Sequence, residues 1–348
     1  MKEFGSDFHY IPSPASSCKS IYDYFPYANF YANGRQALIH LYKSQGWTKL
    51  WVPEYYCYEV INTLRGAGLE LDFYTDYPGS KRNFISLDLI QKNGFFSSSD
   101  AVLIVNYFGL RSCRKYNSWS VAAVVEDHTH DIIGGWACNS SADWCIASLR
   151  KTLPIPQGGI LWSPKGLELP SPPSMSTENE LAAATRWEAM ELKRSYILGD
   201  NIDKAIFRAS FINTELFFDK CDVCSIDVKS REYLSTFDIQ SWYQRKIANW
   251  NILKEINLPG VHVLLPENAD CNPFSLILIF DSIEKRDKYR IALIENRVYP
   301  AILWSIPVMV GKGAYVMSRK IISIHCDARY SIEDIQQLKL IIQKSFVF

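Results

Sequence analysis

Two uninterrupted apolar runs, Ala101 to Tyr107 (AVLIVNY) and Val121 to Glu126 (VAAVVE), constrain this chain more than any other feature. A strand with one wet face alternates apolar and polar residues. A continuous apolar run needs cover on both faces, as strands of a parallel sheet have. Asp143 to Ser148 and Gly159 to Ser163 extend the series, and Lys49 to Pro53 (KLWVP) and Leu69 to Tyr74 precede it. Helical spacing fills the intervals. Arg35 to Ser44 carries Ala37, Leu38, Leu41 and Tyr42, opened by Asn33-Gly34. Tyr55 to Arg65 is helical through Val60, Ile61 and Leu64 and stops at Gly66 and Gly68. Ile85 to Gln91 reads as a short helix. Strands and helices in this alternation imply βαβ units, and ligands of such sheets bind beyond the carboxyl ends of the strands.

The segment before Gly34 is rich in Tyr, Phe, Pro and Ser without a period, and reads as an arm over residues 1–33. Pro164 to Asn179 is a Pro- and Ser-rich break. Helical segments follow at Glu180 to Ser195, Ile202 to Phe218 and Asp238 to Ile256. The pattern then turns mixed: strands at Val261 to Leu265, Phe274 to Phe280 and Ile321 to His325, a helix near Ile283 to Asn296, and a capping box at Ser331-Ile-Glu-Asp334 opening a last helix. This divides the chain into the arm, a large domain over 34–250 and a small α+β domain over 251–348.

Lys+Arg and Asp+Glu both number 37, and this zero balance argues against nucleic acid or an anionic membrane as partner. No apolar run reaches the roughly 18 residues of a membrane-spanning helix. The nine scattered cysteines suit reduced thiols in a cytoplasm. Cys221-Asp-Val-Cys224 lacks a second pair, so two half-buried thiols are expected there rather than a zinc or redox site.

The chemistry concentrates between Val124 and Ile160. One buried strand runs into Glu126-Asp127, and the next ends in Ser148-Leu149-Arg150-Lys151, followed by Gly158-Gly159. An acid, a hydroxyl, a lysine and glycines at neighbouring strand ends are the set that pyridoxal 5'-phosphate needs: an amine for a Schiff base, a carboxylate for the pyridine nitrogen, and hydroxyl and backbone donors for the phosphate. Simpler readings stand beside this one. Lys151 and Arg150 could form a solvated basic pair, Asp127 a cap, and Gly158-Gly159 a turn. His128 and His130 lie two apart in a loop, a poor metal pair.

With these residues the chain resembles the fold-type I pyridoxal-phosphate aminotransferases of the DegT/DnrJ/StrS-like branch. Gly34-Arg-Gln-Ala-Leu38, Trp51-Val-Pro-Glu-Tyr-Tyr-Cys57, Val105-Asn-Tyr-Phe-Gly109, Glu126-Asp-His-Thr-His130 and Ser148 to Gly159 carry the resemblance, in order. It implies an α/β PLP-dependent transferase (aspartate aminotransferase-like) fold. That fold is a mixed, mostly parallel sheet with helices on both faces, plus a smaller C-terminal α+β domain. It also implies Lys151 as the Schiff-base lysine, Asp127 on the pyridine nitrogen and His130 near the ring oxygen. Ser148, with Gly34, Arg35 and Gln36 at a helix opening, would lie on the phosphate, and Tyr56 would supply an aromatic face. Arg35 stands where the family has a small hydroxyl, and either adds a guanidinium to the phosphate or points outward. Arg329 would bind a substrate carboxylate, with a structural salt bridge as the equal alternative. The implied activity is ping-pong transfer between a small amino donor and a keto acceptor, such as a nucleotide-linked keto sugar, in a homodimer. The rivals are a dehydratase, in which His replaces the lysine, and a degenerate binding or regulatory protein on the same fold.

Overall fold

The computed structural model describes residues 3–13, 19–79, 96–116, 122–220 and 222–346, so the short helix expected at Ile85 to Gln91, and Cys221, lie outside the described residues. The strands are β1 (Phe4–Gly5), β2 (Asn29–Tyr31), β3 (Lys49–Pro53), β4 (Leu71–Tyr74), β5 (Asp100–Val105), β6 (Ala123–Asp127), β7 (Trp144–Ser148), β8 (Gly159–Trp162), β9 (Val261–Val263), β10 (Leu276–Phe280), β11 (Val298–Tyr299) and β12 (Ile321–Ile324). The main sheet runs β2-β8-β7-β6-β5-β3-β4. From β4 to β7 every pairing is parallel, and β8 runs against β7.

The two apolar runs are the central pair, β5 and β6, in register from Ala101–Ala123 to Val105–Asp127. Both faces are covered, as their composition requires. Ala101, Leu103 and Val105 pack with Ala37, Leu38 and Leu41 of the helix Gly34–Gln45 and with Ile61 and Leu64 of the helix Tyr58–Gly66. The alternate residues Val102 and Ile104 pack on the opposite side with Trp187, Phe207 and Trp242 of three later helices, Thr177–Leu198, Lys204–Phe218 and Ile239–Leu253.

The N-terminal segment is more than an arm. β2 closes one edge of the main sheet against β8, and β1 pairs with β11 near the other end of the chain. Alternation is too short to read in strands of two or three residues. A smaller antiparallel sheet, β12-β10-β9, packs on the helices Ile283–Glu295 and Ile332–Lys344 around Leu278, Tyr289, Ile322 and Leu338. The helix Ile239–Leu253 serves both bodies. Its Ile239, Trp242 and Tyr243 belong to the large core, and its Trp250 and Leu253 to the small one. The capping box at Ser331 forms, with Asp334 N donating to Ser331 Oγ and Ser331 N donating to Asp334 Oδ2.

Candidate active site

Strands β3, β5, β6 and β7 run parallel, so the chain leaves all four at the same edge of the sheet. A cavity of about 840 Å³ opens there, and its walls include Gly34, Arg35, Tyr56, Asp127, His130, Ser148 and Lys151. Two close approaches shape it. A Cβ on Gly159 would lie 2.3 Å from the carbonyl carbon of Asn33 and 2.6 Å from Gly34 N, and one on Gly34 would lie 3.1 Å from Ser148 N. Only glycine allows the helix Gly34–Gln45 to start against β7 and β8 and open towards the cavity. Asn33 caps that helix, its side chain accepting from Gln36 N at 3.0 Å.

Lys151 ends the turn after β7 and is solvent-accessible within the cavity although protein surrounds it. The adjacent Arg150 guanidinium, with burial second, lowers its amine to about 8, against an opposing pull from Glu215. Arg150 is fixed by an ion pair with Glu215, whose other oxygen accepts from Arg186 at 3.0 Å. Burial would raise the Glu215 carboxyl, but Arg150 and Arg186 hold it down at about 2.

Asp127, at the end of β6, accepts from the Tyr56 hydroxyl at 2.6 Å and from Thr129 N at 2.9 Å. Burial, then the Asp127 charge, pushes the Tyr56 phenol well above its usual range, so it stays a donor. Tyr56 therefore meets the site through its hydroxyl as well as its ring. His130 accepts from Phe108 N at Nδ1, 3.1 Å away, and its ring stacks on Trp304 at 5.5 Å. Burial, then Lys151, lowers it to about 3. A neutral ring accepting at Nδ1 carries its proton on Nε2, which makes it a donor. Phe108 sits at φ 57 in the turn after β5, a conformation uncommon outside glycine.

Two expected site residues lie elsewhere. Gln36 points back from the helix, donating to Asp222 O at 2.8 Å and accepting from Cys224 N at 3.2 Å, so it ties the helix to that segment instead of facing the cavity. Arg329 borders a neighbouring cavity, where its guanidinium is spent on Asp327 at 2.8 and 3.0 Å and on the carbonyls of Asp7 and Ser6. The salt-bridge alternative describes it. Arg35 lines the cavity wall, but its guanidinium is already paired with Asp219 and reaches Thr63. An added phosphate contact from Arg35 would compete with that carboxylate.

Other wall residues were not singled out in the sequence. Thr129 donates its position from within the quoted Glu126 to His130 segment, where it accepts from Ser148 N at 2.9 Å. Phe274, Leu303 and Trp304 come from the C-terminal third and carry no local signal. His128 faces away from the cavity: its Nε2 is 2.7 Å from Glu126, whose other oxygen accepts from Tyr116 and Trp136. With Cys145 these residues could ligate a metal by distance, but the carboxylate is already saturated by donors.

The fold and site together define the class: a mixed, mostly parallel sheet covered on both faces, a smaller C-terminal α+β body, and a lysine and a carboxylate at adjacent strand ends. No family model matches the sequence, and no curated protein matches it. Solved structures match the whole architecture. The PLP form of Spr1654 from Streptococcus pneumoniae superposes with a TM-score of 0.65 at 10% identity, over 99% of this chain and 100% of that one. Helicobacter pylori PseC, an aminotransferase involved in the biosynthesis of pseudoaminic acid, gives 0.60 at 13% identity over 99% of both chains. The aminotransferase TlmJ from Streptoalloteichus hindustanus gives 0.60 at 14% identity over 93% of this chain and 88% of that one. The chain shares the fold of these proteins.

Proposed function

We propose that the chain is a PLP-dependent aminotransferase, moving an amino group from a small amino donor to a keto acceptor, with a nucleotide-linked keto sugar as the acceptor class. The observation that carries this reading is Lys151: an amine open to the cavity, lowered to about 8, on the strand end next to that of Asp127. The donor set fits the cofactor. Lys151 would join its aldehyde, Asp127 its pyridine nitrogen and His130 Nε2–H its ring oxygen. The Ser148 and Thr129 hydroxyls and the helix opening at Gly34 would take its phosphate.

When bound, the cofactor supplies an electron sink for carbanion chemistry at the substrate α-carbon. The residues do the rest. Lys151 would hold the cofactor through its neutral amine, and the same Nζ would carry the proton as general acid and base. Asp127 would face the ring nitrogen, and Tyr56 and Thr129 fix the orientation of its carboxyl. The rings of His130, Trp304 and Phe274 exclude water from one side. The presence of both Lys151 and Asp127 argues against the binding-protein rival, and lysine in place of histidine argues against a dehydratase. The large domain would hold the cofactor, and the C-terminal body would close over the substrate. A cytoplasmic homodimer completes the proposal. Seven described cysteines are free thiols, and no described helix is long and apolar enough to cross a membrane.

The test is direct. Protein purified with the cofactor should absorb near ~420 nm. Borohydride should then fix cofactor mass on the peptide containing Lys151. Lys151→Ala should lose both the colour and the transamination. A label on a different lysine would overturn the assignment.

A further inference from the structure

Beside the Lys151 cavity lies a second hollow of about 900 Å³ that shares Arg150 and Lys151 with it, and its far side carries Asp7, Arg186 and Arg329. Its charges pair unevenly. Arg150 and Arg186 share one carboxylate, Glu215, with an oxygen each. Asp327 matches Arg329. One guanidinium charge is left over, and Asp7 answers it: Asp7 Oδ1 lies 3.3 Å from Arg186.

Asp7 differs from the other counter-ions. Its side chain is 51% exposed, whereas Glu215 is 34% and Asp327 8% exposed. Among the described residues, Arg186 alone donates to the Asp7 carboxylate. Its backbone, by contrast, is held. Phe4 pairs with Val298, Tyr10 N donates to Met190 O at 2.9 Å, and Arg329 and Lys193 donate to the carbonyl of Asp7. The strap can therefore stay in place while the Asp7 side chain turns out to water. Arg186 itself is buried and keeps its Glu215 oxygen when Asp7 turns out, but Arg150 shares that carboxylate, so one buried guanidinium charge is left unanswered and calls for a replacement.

We propose that this second hollow is an anion subsite for the substrate, in which Arg186 receives a carboxylate or phosphate oxygen and Asp7 is the exchangeable counter-ion that keeps its place. The subsite rests on the reading of Lys151 as the reactive amine, since that residue joins the two cavities. An acidic group on Arg186 orients the rest of a small molecule towards Lys151. The two sources of such a group, a carboxylic acid and a phosphate ester or anhydride, share this chemistry.

The experiment is a calorimetric titration of the full chain with glutarate and, separately, with inorganic pyrophosphate. It compares the wild type with Asp7→Asn and Asp7→Glu. Asp7→Asn removes the competing charge at an exposed position and should bind one of the anions at least tenfold more tightly than wild type. A gain for glutarate identifies a carboxylate, and a gain for pyrophosphate a phosphate. Asp7→Glu should return to weak binding. Arg186→Lys in the Asp7→Asn background should cancel the gain. Equal affinities in wild type and Asp7→Asn for both anions would overturn the subsite. Failure of the aminotransferase reading would show separately, as absence of a borohydride label on Lys151, since the titration needs no turnover.

Discussion

Lys151 owes its nucleophilicity first to the residue before it. Arg150 is the largest cause of its lowered amine, and Glu215 pulls the other way. At about 8, roughly a tenth of the amine is neutral at pH 7, against far less than one per cent for an ordinary lysine. Its rate of modification by an aldehyde reagent, read by peptide mass, should rise to an inflection near 8 and then level off. Arg150→Gln removes the main cause and frees Glu215, so the inflection should move upward; an unchanged inflection would assign the effect to burial alone. For Asp127→Asn, which keeps the shape and the Thr129 contact, cofactor should still bind while turnover falls by about two orders of magnitude or more. Near-normal turnover would make Asp127 a cap. The residues readable beforehand were those at strand ends, because β pairing fixes where a strand end lies. Gln36 was misplaced, and for Arg329 the salt-bridge alternative holds, because adjacency in the chain does not say where a long side chain turns, and each found a nearer partner. Trp304 and Phe274 reach the cavity only through tertiary packing.

At the scale of elements, the apolar runs and helical spacing located the main sheet and the long helices, since burial on two faces or one leaves a period in the sequence. Elements that bury little left no such trace. The helix Val228–Thr236 buries only Ser230, Tyr233 and Leu234, and Lys312–Lys320 only Ala314 and Ser318, so neither was anticipated. The glycines of the site show a further limit. Gly158-Gly159 reads as a turn, whereas Gly159 is the point where the helix Gly34–Gln45 meets the sheet. Gly159→Ala places a methyl against backbone that cannot give way and should cost about 1–3 kcal/mol in denaturant unfolding, with cofactor retention reduced as the helix start shifts. Gly66 is the control. It ends a helix, and a Cβ there meets nothing within 4 Å. Gly66→Ala should be neutral or stabilising by up to about 1 kcal/mol. Equal effects at the two positions would show that close approach is not what Gly159 provides.

For the molecule as a whole, three histidines on different parts of the chain are held neutral. Burial, then nearby cations, lowers His130 to about 3, and His9 and His325 to about 4. His9 lies on the N-terminal strap, His325 just beyond the small sheet and His130 in the cavity wall, so the effect spans the junction of the two bodies. The sign follows from linkage. In the unfolded chain each ring takes up a proton near pH 6.5, and in the folded chain it does not until the pH is far lower. Stability is therefore full above about pH 6.5 and declines as the pH falls towards about 4, where the folded rings begin to protonate. Each ring contributes at most about 1.4 kcal/mol per pH unit across that window, so three could remove roughly 4 kcal/mol per unit. Carboxylates such as Glu215, held at about 2, reinforce the loss only from about pH 4.5 downward, where the unfolded chain's carboxyls take up protons. Chemical denaturation between pH 7.5 and 4.5 should thus show a decline that sets in near 6.5, before carboxylates titrate. His325→Gln should make it shallower, since a glutamine takes up no proton in either state. A flat profile down to pH 5 would mean that these rings are free to protonate in the folded protein.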